Sequence, residues 1–433
     1  MDALDVIESS ANRLSMSQQN LKQFMSDHKK VKMFVGDEDL DIDRIHVNNA
    51  LNKSQLARAL NMRQHTLNAK IDRAISDNII PQPLKQSIAH LFTRDHINAL
   101  MEYMELPTYR SNKDPICIAV ANQKGGIAKS TTTVTLGVAM ALDLNLRAKI
   151  LLIDLDPQGS SGTNLYNHAA QAGSSSNNDD LFLTGVDLIL GEYEANSQNG
   201  EEYASAVNYF ISEGATNLEA KIATALEATK PTHLPNLDVL PAFPSDERLT
   251  DIFGEMTLPQ KEALFKHFND IIDGIKQHYD IVIIDTPPQD AAFTWLGLDV
   301  ANFILTPIKP SPFDVASSSN FLSNLRNRLE KLPSQGKNLR LWRSVITNHD
   351  SSSDDEVRIK LGLHRSLGAN LYSSPIYKSV AFTAASALNR TIMDLKNADK
   401  VCSSRQLSSA RDSFSAFYSQ ISADIESHFS KID

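Results

Sequence analysis

Apolar positions change their period twice along this chain, and each change marks a different kind of structure. From residue 1 to about 30, Leu4, Ile7, Ala11, Leu14, Leu21 and Met25 recur at steps of three and four, with Gln18 interrupting the seam. That spacing predicts a helix with one apolar stripe. The stripe serves either as a short coiled-coil contact between two copies or as a face packed on its own domain. The acidic run Gly36-Asp37-Glu38-Asp39 ends the pattern. Between residues 45 and 110 the period stays helical but comes in short pieces. Lys53 to Leu60 predicts one helix and Arg63 to Ala74 a second, with Leu56, Ala57 and Leu60 meeting Met62, Leu67 and Ile71. Asn61 tolerates the left-handed geometry that a helix-turn-helix needs between them.

After the polar, proline-ended stretch Ser111 to Pro115, continuous β-branched runs appear: Ile116–Val120, Ile150–Ile153, Leu237–Leu240, Ile281–Ile284, Phe303–Leu305 and Leu341–Ile346. Helical patterns lie between them. Such alternation predicts a parallel sheet covered on both faces. The Ser/Asn/Gly-rich stretches 172–178 and 196–202 predict surface excursions. Near the end, Leu407, Phe414, Phe417, Tyr418, Ile421, Ile425 and Phe429 keep helical spacing, and a tail helix packed on the sheet domain is expected.

Composition narrows the class without naming a chemistry. The 433 residues carry 42 Lys+Arg against 52 Asp+Glu, a net charge of −10, so any nucleic-acid contact needs a local basic patch. Lys and Arg do outnumber Asp and Glu between residues 51 and 110. Arg63, Gln64, His65, Asn68 and Lys70 line the start and outer face of the second short helix, where they can reach phosphates or base edges of a major groove. The same corner also occurs as a plain packing unit, and Lys70 stands where many such motifs bury an aliphatic residue. Two cysteines, Cys117 and Cys402, are too few for a disulfide framework or a multi-thiolate metal site. With no signal-peptide pattern and no apolar run of membrane-spanning length, a cytoplasmic protein is expected.

The chemistry lies in three segments. The first is Ala119-Val-Ala-Asn-Gln-Lys124-Gly125-Gly126-Ile127-Ala128-Lys129-Ser130-Thr131-Thr132, placed after a buried strand and opening a helix. Its glycines let backbone amides turn inward, and the helix N-terminus adds its positive dipole end, as a phosphate cradle requires. Lys129 can reach β- and γ-phosphates and the Ser130 hydroxyl can ligate Mg²⁺. Gln123 and Ala128 stand at the two glycine positions of the plain phosphate-loop pattern, so the segment is a variant with an additional lysine at its head. The other two segments place Asp154 and Asp156, and Asp285, at the carboxyl ends of strands, where open parallel sheets bind their ligands. One carboxylate there helps hold hydrated Mg²⁺ and another can orient an attacking water.

Lys124 to Thr132, Asp154 to Gly159 and Asp285 to Pro288 resemble the deviant Walker A, switch I and Walker B segments of the ParA/MinD ATPases. Within that superfamily the chain is similar to the large ParA/SopA-type DNA-partition ATPases, from the first helix through Leu395. The resemblance implies an α/β fold. A parallel-sheet P-loop ATPase domain (111–433) would follow a small helical winged helix-turn-helix domain (45–110) and an N-terminal helix (1–44). It also implies a nucleotide, ATP or ADP with Mg²⁺, held between two protomers. Lys124 would reach the partner's phosphates, Lys129 the phosphates in cis, and Thr131 a phosphate. Gly125, Gly126, Ile127 and Ala128 would cradle the nucleotide through the loop backbone. Ser130, Asp154 and Asp285 would surround the metal, and Asp156 would position the water. Ala128 departs from the commoner glycine, which implies slower or altered turnover.

Pro307, Lys309 and Asn348 sit where related ATPases contact the base, or else form ordinary strand-ending turns. The implied partners are a second copy of the chain, a ParB-like centromere-binding protein, an operator read by the helix-turn-helix, and bulk nucleoid DNA. Arg365, Lys378, Arg390 and Lys396 are the candidates for the non-specific DNA contact. A basic membrane-binding tail, as in MinD-type relatives, is not expected, because the outer face of the tail helix is mostly Ser, Asp and Glu. An ATP- or ADP-regulated repressor is the alternative reading.

Overall fold

The computed structural model describes residues 30–35, 38–86, 89–158, 182–194 and 200–431, with Leu165 and isolated positions within 5–16. It divides into two compact units, Met1–Leu106 and Pro107–Asp433.

Of the predicted first helix, residues 5, 8–10, 12–14 and 16 are described and helical, and Leu14 is 68% exposed. Leu4, Ile7, Ala11, Leu21 and Met25 lie outside the described residues. The remainder of this unit is less helical than its sequence suggests. It contains a five-stranded antiparallel sheet in the order β2-β1-β4-β5-β3. The strands are β1 (Lys30–Val35), β2 (Glu38–Asp43), β3 (Leu51–Asn52), β4 (Leu84–Gln86) and β5 (Ala89–Phe92). The division expected at residue 44 therefore falls inside a single unit, because β1 pairs with both β2 and β4.

The two short helices form as expected, over Lys53–Ala59 and Gln64–Ser76. The first is started by a reciprocal cap between Asn52 and Gln55, with bonds of 2.9 and 3.0 Å. Asn61 takes the turn at φ 49°, and Leu56, Ala57, Leu67 and Ile71 are buried. The β4–β5 hairpin follows the second helix, with Lys85 opposite His90.

The second unit is built on a seven-stranded sheet in the order β12-β11-β6-β10-β7-β9-β8. These strands are β6 (Ile116–Val120), β7 (Ile150–Asp154), β8 (Lys230–Pro231), β9 (Leu237–Leu240), β10 (Ile281–Asp285), β11 (Phe303–Ile308) and β12 (Leu341–Ile346). All pair in parallel except the edge strand β8. The central strands β6, β7 and β10 are buried at every position, which is why they read as unbroken apolar runs.

Alternate residues of these strands feed two apolar layers, one on each face of the sheet. The Ser404–Phe429 helix completes one layer with Leu407, Phe414, Phe417, Ile421, Ile425 and Phe429, as its spacing predicts. The stretch 172–178 lies outside the described residues, and so does most of 196–202; Glu201 and Glu202 open a helix over Glu201–Ser212. No helix among the described residues is long and apolar enough to cross a membrane.

Candidate phosphate-binding site

Three neighbouring strands bring the chemistry together. Val120, Asp285 and Asp154 are register partners at the carboxyl ends of β6, β10 and β7. Adjacent strands lie about 4.8 Å apart, so the loop leaving β6 starts beside Asp285, with Asp154 one strand further on. Asp285 and Asp154 are fully buried and Asp156 nearly so. Asp285 Oδ1 accepts from Thr133 Oγ1 at 3.2 Å, tying the strand end to the helix that the loop opens. Asp154 Oδ1 accepts the Asp156 amide at 3.0 Å, and Asp156 Oδ1 accepts that of Gln158 at 3.0 Å, so the turn after β7 is held by its own acids.

The loop from Ala121 ends at Ala128, and the helix Lys129–Leu142 begins there without a side-chain cap. Its first-turn amides are the groups that a phosphate would satisfy. Gly126 has φ +74° and Ala128 has φ +63°, both left-handed. Alanine there costs about 1–2 kcal/mol of backbone strain, partly offset by the smaller entropy it loses on folding compared with glycine. Ala128→Gly should therefore raise stability by up to about 1 kcal/mol, read as a higher denaturant midpoint with an unchanged slope. A lower midpoint would show that the loop does not need this conformation.

Lys129 is buried, and its Nζ donates to the Lys124 carbonyl at 3.0 Å. Burial pushes its ammonium below the ordinary lysine range, while the Asp285 and Asp156 carboxylates pull it back. A cation already desolvated and aimed along the loop is arranged to meet a phosphate.

Several residues brace the loop that local pattern did not reveal. Asn122, 1% exposed, donates from Nδ2 to the Pro307 carbonyl and to Ser318 Oγ, both at 2.8 Å, and accepts the Lys124 amide at 3.2 Å. Thr347 Oγ1 donates to the Ile127 carbonyl at 2.7 Å. Asp314 draws in both flanking lysines, with Lys124 Nζ 3.6 Å from one carboxylate oxygen and Lys309 Nζ 3.9 Å from the other.

The remaining candidates divide. Ser130 and Thr131 are half-buried in the first turn of the loop helix, and Gly125 is exposed. Asn348 follows β12 at φ 51° and is half-buried. Pro307 lies buried inside β11 opposite Val345, and its carbonyl accepts from Asn122 Nδ2. Arg390 is corrected. Its side chain is 4% exposed, pairs with Asp399 at 3.4 Å, and lines a partly open pocket of about 220 Å³ with Ser130 and Thr131. Arg365, Lys378 and Lys396 are exposed. In the first unit Arg63, Gln64 and His65 are exposed, while Asn68 and Lys70 are half-buried.

The donor set of Ser130, Asp154 and Asp285 suits Mg²⁺, a hard cation that takes oxygen ligands and keeps several waters.

Known proteins place this arrangement. Residues 116–338, just over half of the chain, match the AAA_31 family, described as an AAA domain. The chain is 26% identical over 284 residues to the chromosome partitioning protein ParA of Caulobacter vibrioides, covering 64% of this chain and 87% of that one. It is 25% identical over 281 residues to plasmid partition protein A of Escherichia coli, covering 62% of each. A solved structure titled Partition Protein superposes with a TM-score of 0.57 at 19% identity, across 96% of this chain and 98% of that one. The loop, the strand-end carboxylates and these likenesses agree: the chain belongs to the AAA_31 family and is similar to ParA-type partition proteins.

Proposed function

We propose that this chain is an ATP-hydrolysing DNA partition protein, whose ATP-closed homodimer binds DNA without sequence preference and releases it on hydrolysis. The reading rests above all on one observation: a glycine loop leaves β6 and opens a helix on the buried Lys129, with Asp285 and Asp154 in register at the ends of the next two strands. When bound, Mg²⁺ and ATP supply the phosphoryl group and its counter-charge. Lys129 stabilises charge developing on the phosphates, and Ser130, Asp154 and Asp285 hold the metal and its waters. Asp156 orients the attacking water. Lys124 reaches the phosphates of a second copy, and a ParB-like centromere-binding protein stimulates turnover. The site of action is the cytoplasm, on the nucleoid.

Two surfaces support a DNA reading. In the first unit, the exposed Arg63, Gln64 and His65 open the second helix of a two-helix corner, followed by a hairpin carrying Lys85 and His90. A winged helix-turn-helix has this order of parts. In the second unit, a groove of about 730 Å³ is lined by Lys360, Arg405, Tyr377, Ser373, Ser374 and Ser408, with Asp412 on one wall. Cations and hydroxyls of this kind contact sugar-phosphate backbone without reading sequence. Lys360 and Arg405 thus take the place that Arg390 vacates.

The two surfaces separate experimentally. Arg63→Ala should weaken binding to the chain's own upstream DNA by about 1–3 kcal/mol, with ATP turnover and random-duplex binding unchanged. Equal loss of all three activities would make the corner a packing unit.

A further inference from the structure

We infer that Thr133 is a positioning residue for the metal: its hydroxyl sets the direction of the Asp285 carboxylate, and without it the site holds Mg²⁺ more weakly. The inference rests on the Mg²⁺ and ATP reading above. It goes beyond that reading by naming a residue that acts through one of the metal-holding acids.

Four hydroxyl residues in a row, Ser130 to Thr133, open the loop helix, and the last of them has had no task so far. Thr133 is fully buried and lies one turn past Lys129, on the same side of the helix. Its Oγ1 is 3.0 Å from the Lys129 carbonyl oxygen and 3.2 Å from Asp285 Oδ1, so one proton serves two acceptors. The carbonyl already accepts a bond of the helix, whereas a buried carboxylate gains most from a donor. Lying against the carbonyl four residues back also fixes the rotamer, since this is one of the two that threonine adopts in a helix. The helix itself therefore aims the hydroxyl at the acid.

The backbone at Asp285 is fixed from both neighbouring strands. Its carbonyl accepts the Leu155 amide at 3.0 Å, and Thr286 Oγ1 donates to the Val120 carbonyl at 2.9 Å. What is left to choose is the turn of the side chain about its own bonds, and Thr133 restricts that turn. The other strand-end acid is held differently, since Asp154 Oδ1 accepts the main-chain amide of Asp156 at 3.0 Å. A substitution at Thr133 thus reaches one acid and leaves the hold on the other in place. Mg²⁺ demands near-ideal octahedral geometry, so an acid free to turn away holds the ion and its waters less well.

The test titrates Mg²⁺ into the full chain with a fluorescent ATP analogue at fixed concentration, and repeats the binding in EDTA. Thr133→Val and Thr133→Ala both lose the hydroxyl, one keeping the shape of threonine and the other making room. Thr133→Ser keeps the hydroxyl. Thr135→Val is the control, because Thr135 is 2% exposed on the same helix and donates in the same way to the Thr131 carbonyl at 2.6 Å. Thr133→Val and Thr133→Ala should need about tenfold more Mg²⁺ or beyond for half-maximal binding. Thr133→Ser and Thr135→Val should match wild type, and binding in EDTA should be the same for all. A wild-type Mg²⁺ midpoint without the Thr133 hydroxyl would overturn the inference. Equal shifts in Thr135→Val would also overturn it, because the loss would then belong to the helix. Weaker binding in EDTA would do the same, because the residue would then shape the loop. A Thr133→Ser that behaves like valine would show that the hydroxyl is not the acting group. Wild-type binding that ignores Mg²⁺ would instead refute the metal reading of the site itself.

Discussion

Lys129→Ala lowers ATP turnover by about 10²–10³-fold or more, with the fold intact by circular dichroism and thermal melting. The side chain is buried, and its ammonium is the group held along the loop between the Lys124 carbonyl and the strand-end acids. Alanine removes the buried ammonium that would stabilise charge developing on the phosphates, and with it that cation's attraction to Asp285 and Asp156. Binding in the ground state weakens less than turnover, because the ammonium contributes most where phosphoryl charge develops. A steady-state assay at saturating ATP reads the effect. Near-normal turnover would show that the site lies elsewhere.

Asp156→Ala gives the second large effect, a loss of about 10²-fold or more in hydrolysis with ATP still bound. On the proposed reading the side chain has a second job besides orienting water, since Oδ1 accepts the Gln158 amide at 3.0 Å. Alanine therefore removes an acid and loosens a turn, at a cost of about 1 kcal/mol for the lost hydrogen bond. Asp156→Asn separates the two, because it keeps the acceptor oxygen and loses the charge. If both variants bind ATP and hydrolyse it slowly, the acid serves the water. If alanine abolishes binding and asparagine restores full turnover, the residue only shapes the turn.

Legibility of the fold followed burial. β6, β9 and β12 occupy the runs Ile116–Val120, Leu237–Leu240 and Leu341–Ile346 that the apolar pattern marks. β7 and β10 run one residue further than their apolar runs, each ending on a buried aspartate, Asp154 and Asp285. β11 continues through Pro307, which a hydrophobic count treats as a stop. The sheet of the first unit was not legible. β2 reads Glu-Asp-Leu-Asp-Ile-Asp, whose acids suggest a loop, and β3 has only two residues, so neither carries a pattern long enough to recognise.

The site divides in the same way. The phosphate loop and its acids are written in contiguous segments, which strand-to-helix context and the family resemblance mark as candidates. The braces are not. Asn122 meets Pro307 and Ser318 across separations of 185 and 196 residues, and Thr347 meets Ile127 across 220. Asp314, third in its helix, resembles an ordinary capping acid until its two lysines are seen. Arg390 failed for the opposite reason: a basic residue in a polar segment looks solvated, yet Asp399 and the neighbouring segment enclose it.

The central claim is that nucleotide controls a DNA-binding dimer through Lys124. Binding to random-sequence duplex DNA at fixed salt, with ATP, ADP or no nucleotide, tests it most directly when wild type is compared with Lys124→Ala. The account predicts binding with ATP alone, absent in Lys124→Ala even though that variant still binds nucleotide. Binding confined to one operator, strongest with ADP and indifferent to Lys124, would contradict it and make the chain a nucleotide-regulated repressor.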